Sequence, residues 1–152
     1  MQLSTHFKLE EFLRSEVAAR MGRPITIDDP QIQTNLVDLC EEILEPLRLL
    51  LGAPITVLSG YRPEWINSMI GGAKNSAHIS GRAADIVVAG MTPISICTAV
   101  KDSKLPYDQA ILEFNEWCHV AIAEVGKMPR HEVLTATSLN ATTIYYPGIV
   151  SA

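Results

Sequence analysis

Cysteine is scarce in this chain and shows no organisation. Cys40, Cys97 and Cys118 are odd in number, widely spaced and never part of a Cys-x-x-Cys pair. That sets aside a disulfide framework and predicts three buried thiols acting as small apolar residues, in a chain made in a reducing compartment. Long apolar runs are missing as well, so no segment reads as a bilayer span. Basic residues are the minority, 12 Lys and Arg against 17 Asp and Glu, and a net charge of −5 argues against a nucleic-acid footprint. Met1-Gln2-Leu3-Ser4 has neither a basic region nor an apolar core behind it, so the expectation is synthesis in the cytoplasm without a signal peptide. Internal repeats, low-complexity tracts and linkers are absent. What remains, 152 residues at 47% hydrophobic and 19% charged, predicts one globular domain over 1–152. Its last stretch, 135–152, reads as an extra strand or a loosely ordered tail.

Hydrophobic spacing and capping residues divide the chain into helices and strands. Ser4 or Thr5 can cap a short helix with Leu9, Phe12 and Leu13 on one face, and Ser15 a further turn ended by Gly22. Asp29-Pro30 opens the main core helix, whose stripe is Leu36, Leu39, Ile43, Leu47 and Leu50; Pro46 should kink or break it. Strands are predicted at 54–59, 83–88, 110–114 and 117–122. Short helices fall at 63–70 and after Thr92-Pro93, and a helical turn at 130–134. Thr142 to Tyr146 reads as an edge strand ended by Pro147-Gly148. The class is α+β.

Between those strands lies the chemically distinctive stretch, Asn75 to Asp85. It sets His78 and Asp85 seven positions apart, with Gly81 between them to let the chain turn. Imidazole nitrogen and carboxylate oxygen are both zinc ligands, and a catalytic zinc takes three protein ligands and a water. The third ligand should be another histidine, and His119 is the best candidate. Asp85 and His119 fall on separate strands whose alternating side chains can face one pocket, while His78 reaches it from a loop. Spacing alone serves a structural role for His78 and Asp85 equally well. His6 and His131 read as surface residues.

Ser-x-His-x-x-Gly-x-Ala-x-Asp at 76–85, followed by Glu-x-x-His at 116–119, resembles the M15 zinc peptidases. The likeness extends upstream to Ser59-Gly60-Tyr61-Arg62-Pro63, Asn67 and Gly71-Gly72, and covers roughly Ser4 to Leu134. The resemblance implies a small antiparallel sheet flanked by helices, of the Hedgehog/DD-peptidase kind. It implies Zn2+ held by His78, Asp85 and His119, with Arg62 stabilising an oxyanion. Ser76 matches a family serine that holds the substrate peptide, or it caps its own loop. Gln109 and Trp117 are pocket-lining candidates. Two glutamates compete as general base. A two-residue turn at Asn115-Glu116 would send Glu113 away from His119 and leave Glu116 at the rim, which favours Glu116; a three-residue turn would place Glu113 directly across from His119. The implied substrate is a peptidoglycan stem peptide, as for a phage or prophage endolysin acting on the wall after release by another factor. L-Ala–D-Glu, another D-amino-acid linkage and terminal D-Ala–D-Ala all remain open as the bond. The alternatives are a D-Ala-D-Ala carboxypeptidase and a non-catalytic zinc-containing phage structural or wall-binding protein.

Overall fold

The computed structural model describes residues 1–150. Six strands, β1 (Thr56–Ser59), β2 (Ala83–Val87), β3 (Gln109–Glu113), β4 (Trp117–Ala121), β5 (Glu132–Leu139) and β6 (Thr142–Pro147), make one sheet in the order β1-β2-β4-β3-β5-β6. The α+β class holds, but the sheet is mixed. β3 and β5 run parallel, from Gln109 opposite Glu132 to Glu113 opposite Ala136, and the other pairings are antiparallel. The helical turn expected at 130–134 is therefore corrected to the start of β5. The 142–146 strand is present as β6, hydrogen-bonded to β5.

Strand alternation gives the sheet two unlike faces. One carries Ile86, Ala110, Leu112, Cys118 and Val120, all buried, against the helices. Cys40 and Cys97 join them, so all three thiols are buried. The other face carries Asp85, Glu113, Trp117 and His119, the polar residues that the first face has no means to solvate.

The helices are α1 (Glu16–Met21), α2 (Pro30–Leu39), α3 (Glu45–Leu51), α4 (Glu64–Met69) and α5 (Pro93–Asp102). Asp29 caps α2 by accepting a hydrogen bond from the Gln31 N–H, with Pro30 in the first turn, as the sequence predicts. α2 and α3 are joined through a π turn, Cys40–Leu44, in which the Glu45 N–H donates to the Cys40 carbonyl. Pro46 accounts for it: the ring has no N–H and crowds the carbonyl four residues earlier, and one wider turn relieves the clash. That turn also shifts the helix phase. Leu36, Leu39, Ile43 and Leu47 are buried as expected, whereas Leu50 is 62% exposed and Leu51 packs on the core in its place. Near the N-terminus the first short helix is capped at Lys8 rather than Ser4 or Thr5, and the Ser4 hydroxyl donates instead to Glu45.

β5 is clamped to the start of β3 by Asp108, which accepts hydrogen bonds from the backbone N–H of Arg130 (3.0 Å) and from its Nη2 (2.8 Å) and Nε (3.1 Å). Burial pushes the Asp108 carboxyl up, but the Arg130 bonds outweigh it and hold the group below its ordinary value. A depressed carboxyl stabilises the fold above its unfolded pKa of about 3.9, and that contribution is lost as pH falls through the folded value. Asp108→Ala should therefore cost about 1–3 kcal/mol at pH 7, and its deficit should shrink as pH is lowered below about 4. Urea midpoints for the two proteins across pH check this; coincident midpoints at pH 7 would rule out the clamp.

Candidate functional site

Asp85 and His119 are directly opposed residues on the adjacent antiparallel strands β2 and β4. Side chains at such a position share a face, and His119 Nδ1 lies 3.0 Å from Asp85 Oδ1. His78 enters from a short turn, Ala77–Ser80, with its Nε2 3.3 Å from the same oxygen. All three are buried. The turn is held from several sides. Ser76 Oγ accepts from the His78 N–H, the Arg62 N–H donates to the His78 carbonyl, and Gly81 closes the turn at φ 73°, a conformation that favours glycine.

His78 Nδ1 is 2.7 Å from the Gly60 carbonyl oxygen. A carbonyl only accepts, so Nδ1 carries a hydrogen and Nε2 is the nitrogen left to face Asp85, open to a proton or to a metal. Gly60 can sit there because it has no side chain; a Cβ would fall 2.7 Å from Phe12. An imidazole nitrogen and a carboxylate oxygen thus face each other across 3.3 Å, which is favourable only with a cation or a proton between them. Zinc bonds of 2.0–2.1 Å in a tetrahedron separate donors by about 3.3 Å. The nearest donor atoms of the three residues all lie within 4.8 Å of one another, so this set fits a divalent ion.

The electrostatics agree with that donor set. Burial alone would raise the Asp85 carboxyl, but the His78 charge and the His119 hydrogen bond hold it well below the usual carboxylate range. Burial would lower the His119 imidazole, yet its hydrogen bond to Asp85 and that group's charge raise it above its ordinary value. The carboxylate draws positive charge to itself, as a proton or as a metal.

The hairpin between β3 and β4 departs from the expected register. Its turn is three residues, Phe114 to Glu116, so Glu113 pairs with Trp117 and Ile111 with His119. The two-residue turn that favoured Glu116 is not formed, and the three-residue turn sets Glu113 opposite Trp117 rather than directly across from His119. Glu116 is exposed on the turn, whereas Glu113 lies on the site face, diagonal to His119, with Oε1 3.8 Å from Nδ1. Trp117 Nε1 donates to that oxygen at 2.9 Å. Burial raises the Glu113 carboxyl above its ordinary value; the nearby His119 pulls against this and Asp85 adds to it.

Arg62 lies beyond the cluster's other side, Nη2 3.9 Å from Asp85 Oδ2. It donates to the side-chain oxygen of Asn67, whose own amide nitrogen donates to the Ala73 carbonyl. Asn67, noted in the sequence only as part of a motif, thereby ties the guanidinium to the 71–75 loop. A groove of about 820 Å³ runs over the whole arrangement and takes in Arg62, Ser76, Gln109, Glu113 and Trp117. Ser76 acts as a loop cap, and Gln109 donates to Glu132. His6 and His131 stand apart, the first bonded to Glu45 and the second edge-on to Tyr107.

A family model described as Peptidase M15 matches residues 5–121. The chain belongs to the M15 peptidase family. No curated protein matches it. The M15 span contains the three-residue cluster, Arg62 and Glu113, and ends with the last residue of β4, so β5 and β6 lie outside it. M15 peptidases are metal-dependent, and the His78–Asp85–His119 cluster is where this M15 chain could hold its ion. No helix among the described residues is long and apolar enough to cross a membrane.

Protein purified without chelator should carry one zinc per chain by elemental analysis, and Asp85→Ala should weaken zinc binding by a factor of at least ~100. Because the proton on His119 must leave, apparent affinity should rise with pH through and above about 6.5. Calorimetric titration at several pH values checks the direction; a pH-independent affinity, or full zinc content in Asp85→Ala, contradicts this centre.

Proposed function

We propose that this chain is a zinc peptidase that hydrolyses an amide bond in the stem peptides of bacterial peptidoglycan, in the manner of a phage or prophage endolysin. The observation that carries the reading is the placement of Glu113 beside the buried His78–Asp85–His119 cluster, inside one groove. Zinc, when bound by those three side chains, supplies Lewis acidity and lowers the pKa of a water to about 7.

The protein groups divide the remaining work. Glu113, with one oxygen held by Trp117, takes the proton of the attacking water and returns it to the leaving amine. A raised carboxyl suits this, because a base that is too acidic gains little from accepting a proton. Arg62, fixed by Asn67 and Ser59, offers its positive charge to the developing oxyanion. Asp85 and the Gly60 carbonyl hold the two imidazoles in orientation. Glu116, exposed on the turn, takes no part.

Glu113→Gln should lower turnover about 10²–10⁴-fold while keeping zinc content, and Glu116→Gln should stay within about twofold of the parent. Arg62→Ala should lower turnover about 10²-fold. The assay is digestion of purified sacculi, with the new termini identified by mass spectrometry. Intact stems at saturating enzyme and zinc would reject the substrate class. Full activity in Glu113→Gln, with loss in Glu116→Gln, would reject the base.

A further inference from the structure

The groove has a wall that the family-matched span does not supply. β5 and β6 lie outside residues 5–121, yet Leu134, Thr143 and Tyr145 from this hairpin line the same groove as Glu113, His78 and His119. The register explains how. Trp117 pairs with Glu113, Glu113 with Ala136, and Ala136 with Tyr145. Four residues in one cross-strand row share a face, so Tyr145 stands on the site face, two strands from Glu113, about 10 Å at ordinary strand spacing. The residue between them, Ala136, is fully buried, so on this side the open groove is lined by Leu134, Thr143 and Tyr145.

We propose that Tyr145 is a substrate-positioning residue, its ring forming with Leu134 and Thr143 the outer wall of a subsite in which a stem-peptide segment lies beside Glu113. This rests on the peptidoglycan reading above. Tyr145 is 51% exposed and its hydroxyl has no hydrogen-bond partner among the described residues. Burial and the Glu113 charge both raise its phenol, which places it within electrostatic reach of the base. Tyr146 is the built-in comparison. It pairs with Thr135 one position along, on the opposite face, with similar exposure and the same chemistry. An aromatic ring offers a large contact area at small entropic cost, which suits a wall for a flexible peptide.

The test uses the zinc-loaded full chain in a Glu113→Gln background, so that binding is read without turnover. Co-sedimentation with purified sacculi should weaken 5- to 20-fold on Tyr145→Thr, a substitution that keeps strand propensity, and on Tyr145→Ala. Tyr145→Phe and Tyr146→Thr should leave it unchanged. With Glu113 restored, Tyr145→Thr should raise KM by a similar factor and change kcat less than threefold, with zinc content and thermal midpoint unaltered. Equal sedimentation of the parent and both Tyr145 variants, or none by the parent, overturns the subsite. If sacculi are bound in a Tyr145-dependent way but never cleaved, the peptidase reading fails and the subsite stands.

Discussion

The opposition of Asp85 and His119 across β2 and β4 is the constraint on which the rest depends. Taking a carboxylate and two imidazoles out of water costs several kcal/mol per charged group unless each finds a partner. Here a single oxygen of Asp85 serves both rings, at 3.0 and 3.3 Å. Strand pairing sets the first of those distances through the backbone. Two of the three metal-binding candidates are therefore positioned before any ion arrives, on paired strands, and a site built on strands is more precise than one built on loops.

The third, His78, comes from a turn and needs its own anchors. Gly60 supplies the main one: its carbonyl fixes the imidazole tautomer, and its missing side chain lets the backbone approach both Phe12 and the ring. The Arg62 N–H bonds back to the His78 carbonyl, so the segment after β1 and the His78 turn hold each other. Arg62 contributes twice in this way, by its backbone to the metal-binding turn and by its guanidinium to the groove. Removing its charge and moving its backbone would consequently have different effects.

Much of this was legible in the sequence because it is local. Asp29-Pro30, Ser15 and Gly22 act on their own or adjacent turns, and the strands of β2 and β4 show in runs of apolar and β-branched residues. His78 and Asp85 were legible from their chemistry and their spacing around Gly81, and His119 as the remaining histidine in a motif. The failures are non-local or one residue fine. β5 pairs in parallel with β3 after a connection of more than ten residues, and its first residues carry no signal that names that partner. The π turn moves Leu50 to solvent because Pro46 acts on a carbonyl earlier in the helix, an effect that heptad-like counting overlooks. Tyr145 had no motif at all. Only the row Trp117–Glu113–Ala136–Tyr145 brings it to the groove.

The choice between the two glutamates turned on the least legible feature, the backbone of Phe114 and Asn115. Both sit at φ 56°, and for phenylalanine that left-handed conformation costs about 1–2 kcal/mol. The cost is partly offset locally: the Phe114 N–H donates to the Ala136 carbonyl at 2.9 Å, and the ring packs edge-on against Trp117 at 5.8 Å. The rest is offset by what the alternative would require. With the shorter turn, Glu113 would oppose Cys118, whose side chain faces the helices, and an unpaired carboxylate would enter the core. Burying that charge costs more than straining one residue. The same turn sets Trp117 opposite Glu113, where the indole can hold it. Glu113 reaches the cluster because the core will not take it, and Phe114 bears the strain that this placement demands.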